Sequence, residues 1–157
     1  MKHFAHIVCI VLVFVAFFLL MVNIEENYVL TDKVIPPAAV TLEEWLENFN
    51  FWGTVGLGAS LLAAVLWYVC GQWIKLDDWR SANKRPLWAG LAVLAAVGIV
   101  IAILRTGRAQ EGAALAYGFY TLNGLLSYYL ATVMFSPTSF KYTPYGATKI
   151  RRWNLTF

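Results

Sequence analysis

The chain has 157 residues, of which 60% are hydrophobic and 13% charged, and its formal net charge is +3. Soluble domains carry about 25% charged residues, and a domain this short cannot hide so much apolar surface from water. These values exclude an ordinary soluble domain. The basic residues are also too few and too scattered to indicate nucleic-acid binding.

Charged residues divide the chain into four long uncharged stretches, which are 3–24, 48–74, 86–104 and 112–140. A helix needs about 20 predominantly apolar residues to cross the hydrocarbon core of a bilayer. A segment in lipid must be helical, because lipid offers its backbone no hydrogen-bond partner. The pattern predicts a single all-α integral membrane domain. Its four transmembrane helices form a bundle and cover about 4–23, 51–73, 86–104 and 113–135.

The histidines and cysteines lie in or beside apolar stretches. His3, His6 and Cys9 recur every three residues on the first helix, and Cys70 lies near the same predicted side of the membrane. Imidazole and thiol groups suit a soft metal ion, so one hypothesis is a copper(I) or zinc site formed by these four residues. The alternative is that the histidines are interfacial and the cysteines are small buried hydrophobic residues. Two histidines one turn apart cannot ligate opposite faces of one haem.

The predicted outer loop, residues 24–50, is the largest polar segment between spans. Thr41 and Glu44 have the spacing of a capping box. The apolar residues that follow share one helical face and are Leu42, Trp45, Leu46 and Phe49. We predict a short amphipathic, interfacial helix here that continues into the second span. It lies either on the outer membrane surface or packed on the bundle.

Small residues at four-residue spacing mark the faces on which membrane helices approach each other closely. The candidates on the second, third and fourth spans are Gly56, Ser60, Ala64, Ala92, Ala96, Gly98, Ala102, Asn123, Gly124 and Ser127. We expect these three spans to pack tightly within the chain. Asn123, near the middle of the most polar span, needs a hydrogen-bond partner. It acts either as a clamp between helices or as part of the wall of a ligand or quinone pocket.

Most lysine and arginine residues fall on one side of the predicted bundle, together with the basic, aromatic tail 136–157. By the positive-inside rule both termini are cytoplasmic, and we expect the inner membrane of a bacterium. The acids from Glu25 to Glu47 then lie outside. The tail is expected to lie on anionic headgroups or to dock on a partner. The first helix has no small-x-small cleavage site after it, so we expect a retained signal anchor.

The sequence contains no motif for catalysis, such as a phosphate-binding loop, His-Glu-x-x-His or Cys-x-x-Cys. No acid or base is expected at mid-membrane, which argues against an autonomous pump or coupled transporter. We therefore expect a non-enzymatic subunit of a larger membrane complex. Its expected partners are membrane lipid and other membrane subunits, without nucleic acid, and the sequence requires no cofactor.

Two alternatives remain open. The layout of four spans, short loops and cytoplasmic termini resembles the immunity proteins of pore-forming colicins, and the segment Phe135–Lys141 is a faint echo of them. This resemblance is one of layout and assigns no residue; it implies a protein that binds and blocks a membrane-acting toxin. The other alternative is a redox or metal-handling membrane subunit built on the histidines, the cysteines and the tyrosines of the fourth span.

Overall fold

A computed structural model of the chain describes residues 2–73, 85–107 and 109–135. These ranges are almost entirely helical and contain no strand. In chain order the helices are α1 (Lys2–Leu20), a π-helix (Met21–Leu30), α2 (Thr31–Lys33), α3 (Leu42–Trp73), α4 (Arg85–Thr106) and α5 (Ala113–Phe135). The first three run on without a break, so the described ranges hold four long helical stretches. The prediction of an all-α protein is confirmed, while the tail 136–157 lies outside the described residues.

Three of the helical stretches are long and apolar enough to cross a membrane, namely His3–Lys33, Leu42–Cys70 and Pro86–Thr106. This finding confirms the prediction of a multi-pass membrane chain for three spans. Several large apolar side chains on these stretches are each more than half exposed, among them Phe4, Leu12, Val93 and Leu104. Large exposed apolar patches are unfavourable in water, whereas lipid tails are themselves apolar.

Helical structure extends further into the segment 24–50 than the sequence predicts. The predicted end of the first helix is about residue 23, whereas helical conformation continues to Lys33, and α3 begins at Leu42. The predicted capping box starts α3. The N–H of Thr41 donates to Glu44 Oε2 at 3.0 Å, and the N–H of Glu44 donates to Thr41 Oγ1 at 3.2 Å. Both contacts satisfy donors that the first helical turn leaves without a partner.

The amphipathic face at the start of α3 is directed into the molecule. Trp45, Leu46 and Phe49 are buried, and Leu42 is half-buried. The rings of Trp45 and Phe49 stack with their centroids 5.8 Å apart. These turns belong to one continuous helix of 32 residues. At a rise of about 1.5 Å per residue this helix is longer than the hydrocarbon core of about 30 Å.

Contacts at the helix ends show that successive long helices run in opposite directions. The start of α1 meets the end of α3, where His6 contacts the hydroxyl group of Tyr68. The end of α4 meets the start of α3, where Asn48 Nδ2 donates to the carbonyl oxygen of Thr106 at 3.1 Å. The end of α5 lies beside the start of α4, because the Tyr128 hydroxyl donates to a carbonyl oxygen in the first turn of α4 at 2.8 Å.

Small residues bring α3, α4 and α5 into close contact. A Cβ atom on Gly98 would overlap the Cβ atom of Ala59, and one on Gly124 would lie 2.6 Å from Ile99 Cδ1. Both separations are below van der Waals contact, so glycine allows the helices to approach this closely. Of the predicted packing residues, the buried ones are Gly56, Ser60, Ala64, Gly98, Ala102, Asn123, Gly124 and Ser127, and the half-buried ones are Ala92 and Ala96.

A short backbone bridge joins the two connections at one end of the bundle. The N–H of Ile35 donates to the carbonyl oxygen of Glu111 at 3.2 Å, and the N–H of Gln110 donates to that of Ile35 at 2.8 Å. Gly112 follows with a φ of 76°, which disfavours any side chain, and a Cβ atom there would lie 3.0 Å from Val34 Cα. The bridge therefore ties the end of the first helical stretch to the start of α5.

Candidate functional site

The bundle buries a carboxyl group where the π-helix packs against α5. Glu25 is 3% exposed and Asn123 is 1% exposed. Asn123 Nδ2 donates to Glu25 Oε2 at 2.8 Å. Glu25 is thus enclosed by the bundle and does not occupy the outer loop that the sequence predicts for it. Asn123 finds the hydrogen-bond partner that its position requires.

The π-helix directs two consecutive carboxyl groups at two different helices. Its buried residues are Met21, Glu25 and Leu30. Their spacing of four and then five residues is wider than that of an α-helix. The N–H and the hydroxyl group of Thr31 both donate to the carbonyl oxygen of Glu26, five residues earlier. Such π-helical turns are rare and occur frequently at functional sites.

Glu26 accepts a hydrogen bond from an asparagine of α3, as Glu25 does from an asparagine of α5. Asn50 Nδ2 donates to Glu26 Oε2, and both side chains are half-buried. In both pairs the amide oxygen, Oδ1 of Asn50 or of Asn123, is buried and has no hydrogen-bond donor among the residues that the structure describes. We refer to Glu25, Glu26, Asn50 and Asn123 as the polar junction.

An aromatic contact holds three helices together beside the polar junction. The rings of Phe49 and Tyr120 stack with centroids 4.6 Å apart and planes inclined by 11°. The Tyr120 hydroxyl donates to the carbonyl oxygen of Phe49 at 2.8 Å and lies 2.5 Å from Thr106 Oγ1. Gly53 leaves room for this contact, since a Cβ atom there would lie 2.5 Å from Met21 Sδ and 2.9 Å from the Tyr120 ring.

At the opposite end of the bundle, both histidines contact one tyrosine. Nδ1 of His3 and Nδ1 of His6 each lie 3.0 Å from the hydroxyl group of Tyr68. Cys9 and Cys70 are half-buried and form no disulfide. Within 2–73, 85–107 and 109–135, no three His, Cys, Asp or Glu side chains are grouped so as to hold a metal ion. Of the four residues in the metal hypothesis, the structure brings the two histidines together, because both contact the hydroxyl group of Tyr68.

A shallow, open depression lies on the outer face of α5, and we call it the α5 groove. It is lined by Gly118, Thr121, Leu122, Leu125, Leu126 and Tyr129. A Cβ atom on the exposed Gly118 would have no atom within 4 Å. The Thr121 hydroxyl donates to the carbonyl oxygen of Tyr117 at 2.9 Å, so it is satisfied within its own helix. The α5 groove is therefore an apolar surface with room at its glycine.

The sequence predicts that Glu25 is exposed to solvent, whereas the structure buries it. The spacing of apolar residues in the sequence already indicated this burial. Ile10, Phe14 and Met21 are buried on one face of the first helical stretch. Glu25 is the next residue on that face. Its charge alone indicates exposure to water, whereas the periodicity indicates the interior.

No protein-family model matches this chain, and no curated protein or solved structure matches it. The features that bear on function are therefore geometric. They are the polar junction, the contact of both histidines with Tyr68, and the α5 groove.

Proposed function

We propose that the chain is a non-enzymatic subunit of a larger complex in a bacterial inner membrane. In this proposal it crosses the membrane four times, keeps both termini in the cytoplasm and binds a second membrane protein by helix packing. The observation that carries the proposal is the α5 groove, which leaves a glycine and several leucines open on the outside of the bundle. In this proposal a helix of the partner protein packs against the α5 groove.

The proposal treats α5 as the fourth span. α5 has 23 residues and none of them is charged. At about 1.5 Å per residue it is long enough to cross a core of about 30 Å. Its buried polar side chains are Tyr120, Asn123, Ser127, Tyr128 and Thr132, whereas Thr121 is exposed. Its exposed large side chains are Leu115, Leu122, Leu125, Leu126 and Met134. Apart from Thr121, the surface that α5 offers to lipid is thus apolar.

The orientation in this proposal follows from charge. An even number of crossings keeps both termini on one side, and the basic residues of 75–85 and of the tail place that side in the cytoplasm. On the outer side, the start of α3 exposes Glu43, Glu44 and Glu47. Its apolar face packs on the bundle at the same time. This arrangement supports an amphipathic first segment of α3 at the level of the outer membrane surface.

The α5 groove has the features of a surface for helix association. Membrane helices associate by van der Waals packing where small residues let their backbones approach. Gly118 supplies such a point, and Leu122 and Leu125 supply apolar walls beside it. Gly58 and Gly90 are also exposed with open Cβ positions, and Gly118 differs from them in lying within the apolar α5 groove.

The substitution Gly118→Leu tests this proposal with a matched control. It places a large side chain in the α5 groove at a position where a Cβ atom has no neighbour within 4 Å, and Gly58→Leu does so at an equally open, exposed glycine of α3. We expect both variants to fold. We expect Gly118→Leu to lose the partner that co-purifies with the wild type in mild detergent, and Gly58→Leu to keep it. A wild type that purifies alone, or a partner retained equally by both variants, would contradict the proposal.

A photo-crosslinking amino acid at Leu122 tests the same contact in native membranes. Leu122 is 51% exposed in the α5 groove, and Leu62 of α3 is 53% exposed on another face, which makes it a matched control. We expect a crosslink to a different membrane protein from position 122 and only lipid adducts from position 62. A crosslink to a second copy of the chain would indicate a homo-oligomer and would contradict a complex with a different protein. Only lipid adducts from both positions would exclude the docking role.

A further inference from the structure

We propose that Glu25 and Asn123 form a proton-binding site inside the bundle. In this site Glu25 carries a proton and donates it as a hydrogen bond to Asn123 Oδ1, while Asn123 Nδ2 donates to Glu25 Oε2. The ligand is the proton itself. This role is separate from partner binding at the α5 groove, which lies on the outer face of α5.

The amide oxygen Oδ1 of Asn123 is buried and has no donor among the described residues, and the Asn123 side chain is 1% exposed. An ionised carboxylate can only accept hydrogen bonds, whereas a protonated carboxyl group is also a donor. An acid and an amide can pair along both edges, each donating once to the other. Protonation of Glu25 therefore satisfies the buried amide oxygen as well as the carboxyl group.

Glu25 carries a proton in either orientation of the Asn123 amide group. The two orientations differ only in which of the two amide atoms is the oxygen. The observed contact between the two side chains is 2.8 Å. If the amide were turned over, this distance would separate two oxygen atoms. Two oxygen atoms at such a distance share a hydrogen bond, which requires a proton on one of them.

Among the described residues, Glu25 has no partner of opposite charge. Its polar contact in the described part of the chain is the Asn123 amide, and α5 has no charged residue. The nearest titratable group on that face of α5, Tyr120, donates to the carbonyl oxygen of Phe49. The charged residues on α2 and on the start of α3, which also pack against the π-helix, are exposed and are Asp32, Lys33, Glu43, Glu44 and Glu47. A buried carboxylate without a counter-charge is unfavourable, and the group neutralises instead.

Glu26 and Asn50 repeat the arrangement one residue further along the π-helix. Their amide oxygen is also without a donor in the described ranges, and both side chains are half-buried. In this proposal the proton of Glu25 exchanges with water on this side of the bundle. When the proton leaves, Glu25 becomes a buried charge between the π-helix and α5. The packing of these two elements then depends on pH.

Infrared spectroscopy of the full chain in lipid nanodiscs tests the proposal, because protonated and ionised carboxyl groups absorb at different frequencies. The samples are the wild type, Glu25→Gln and the control Glu26→Gln, each titrated from neutral to alkaline pH. We expect a protonated carboxyl band in the wild type at neutral pH. We expect the Glu25 component of the band to persist in Glu26→Gln, to be lost in Glu25→Gln and to decrease as the pH rises.

The folding of Glu25→Gln provides a second readout. A glutamine has an N–H group where protonated Glu25 has its O–H group, so this variant keeps both hydrogen bonds with Asn123. We expect its helix content and melting temperature to match those of the wild type. Three results would each overturn the proposal. They are a wild type without the protonated band at neutral pH, a band that Glu25→Gln leaves unchanged, and a Glu25→Gln variant that fails to fold. The first result would indicate an ionised Glu25.

Discussion

The hydroxyl group of Tyr120 donates to the backbone carbonyl oxygen of Phe49 at 2.8 Å, and the rings of the same two residues stack 4.6 Å apart. One side chain on α5 thus binds both the backbone and the side chain of a residue on α3. The contact lies beside the polar junction and also includes Thr106 at the end of α4. Three helices therefore meet at one tyrosine.

Tyr120→Phe removes the hydroxyl group and keeps the ring stack. We expect it to destabilise the bundle by about 1 kcal/mol, the usual size of a hydrogen bond between membrane helices. The measurement is reversible unfolding in detergent, followed by circular dichroism. Tyr28→Phe is the control because Tyr28 is 77% exposed. Equal stability of the two variants would show that the Tyr120 hydroxyl contributes nothing.

Gly98→Ala tests the close contact between α3 and α4. The new methyl group would overlap Ala59, so we expect a loss of about 1–3 kcal/mol in unfolding free energy. Gly90→Ala, on the same helix, is the control because its Cβ position is open. We expect that change to stabilise the helix by up to about 1 kcal/mol. If both variants gained stability equally, α3 and α4 would not approach as closely as described.

Asn123→Leu tests the buried pair in the polar junction. The substitution leaves the Glu25 carboxyl group enclosed without its amide partner, so we expect a loss of about 1–3 kcal/mol. The double variant Glu25→Leu/Asn123→Leu replaces both partners by apolar groups of similar size, and we expect it to recover most of that loss. The measurement is a double-mutant cycle of unfolding free energies. Additive effects of the two single changes would show that the residues do not interact.

Part of this fold could be predicted from the sequence because its signals are local. The spacing of charges located the helical stretches, and Thr41 and Glu44 indicated the start of α3 through their own chemistry. Both signals lie within a few residues of the structure that they predict. The small residues Gly56 and Ser60 likewise indicated a close face of α3, on which both are buried.

The polar junction could not be predicted in the same way. Glu25 and Asn123 are 98 positions apart, and no local pattern pairs them. Two consecutive acids usually indicate a segment in water, and nothing in the composition of Met21–Leu30 distinguishes a π-helix from the end of an α-helix. The α5 groove also depends on long-range packing, because it lies on whichever face of α5 the other helices leave open.

The most direct test of the account concerns the fourth crossing. Single cysteines at Gln110 and Asn154, in a chain that carries Cys9→Ala and Cys70→Ala, are labelled in intact cells with a membrane-impermeant thiol reagent. Gln110 is exposed in the connection before α5, and Asn154 lies in the C-terminal tail. We predict that position 110 is labelled from outside and that position 154 is labelled only after the membrane is opened. Labelling of both positions from the same side would contradict a membrane-spanning α5 and the four-span bundle.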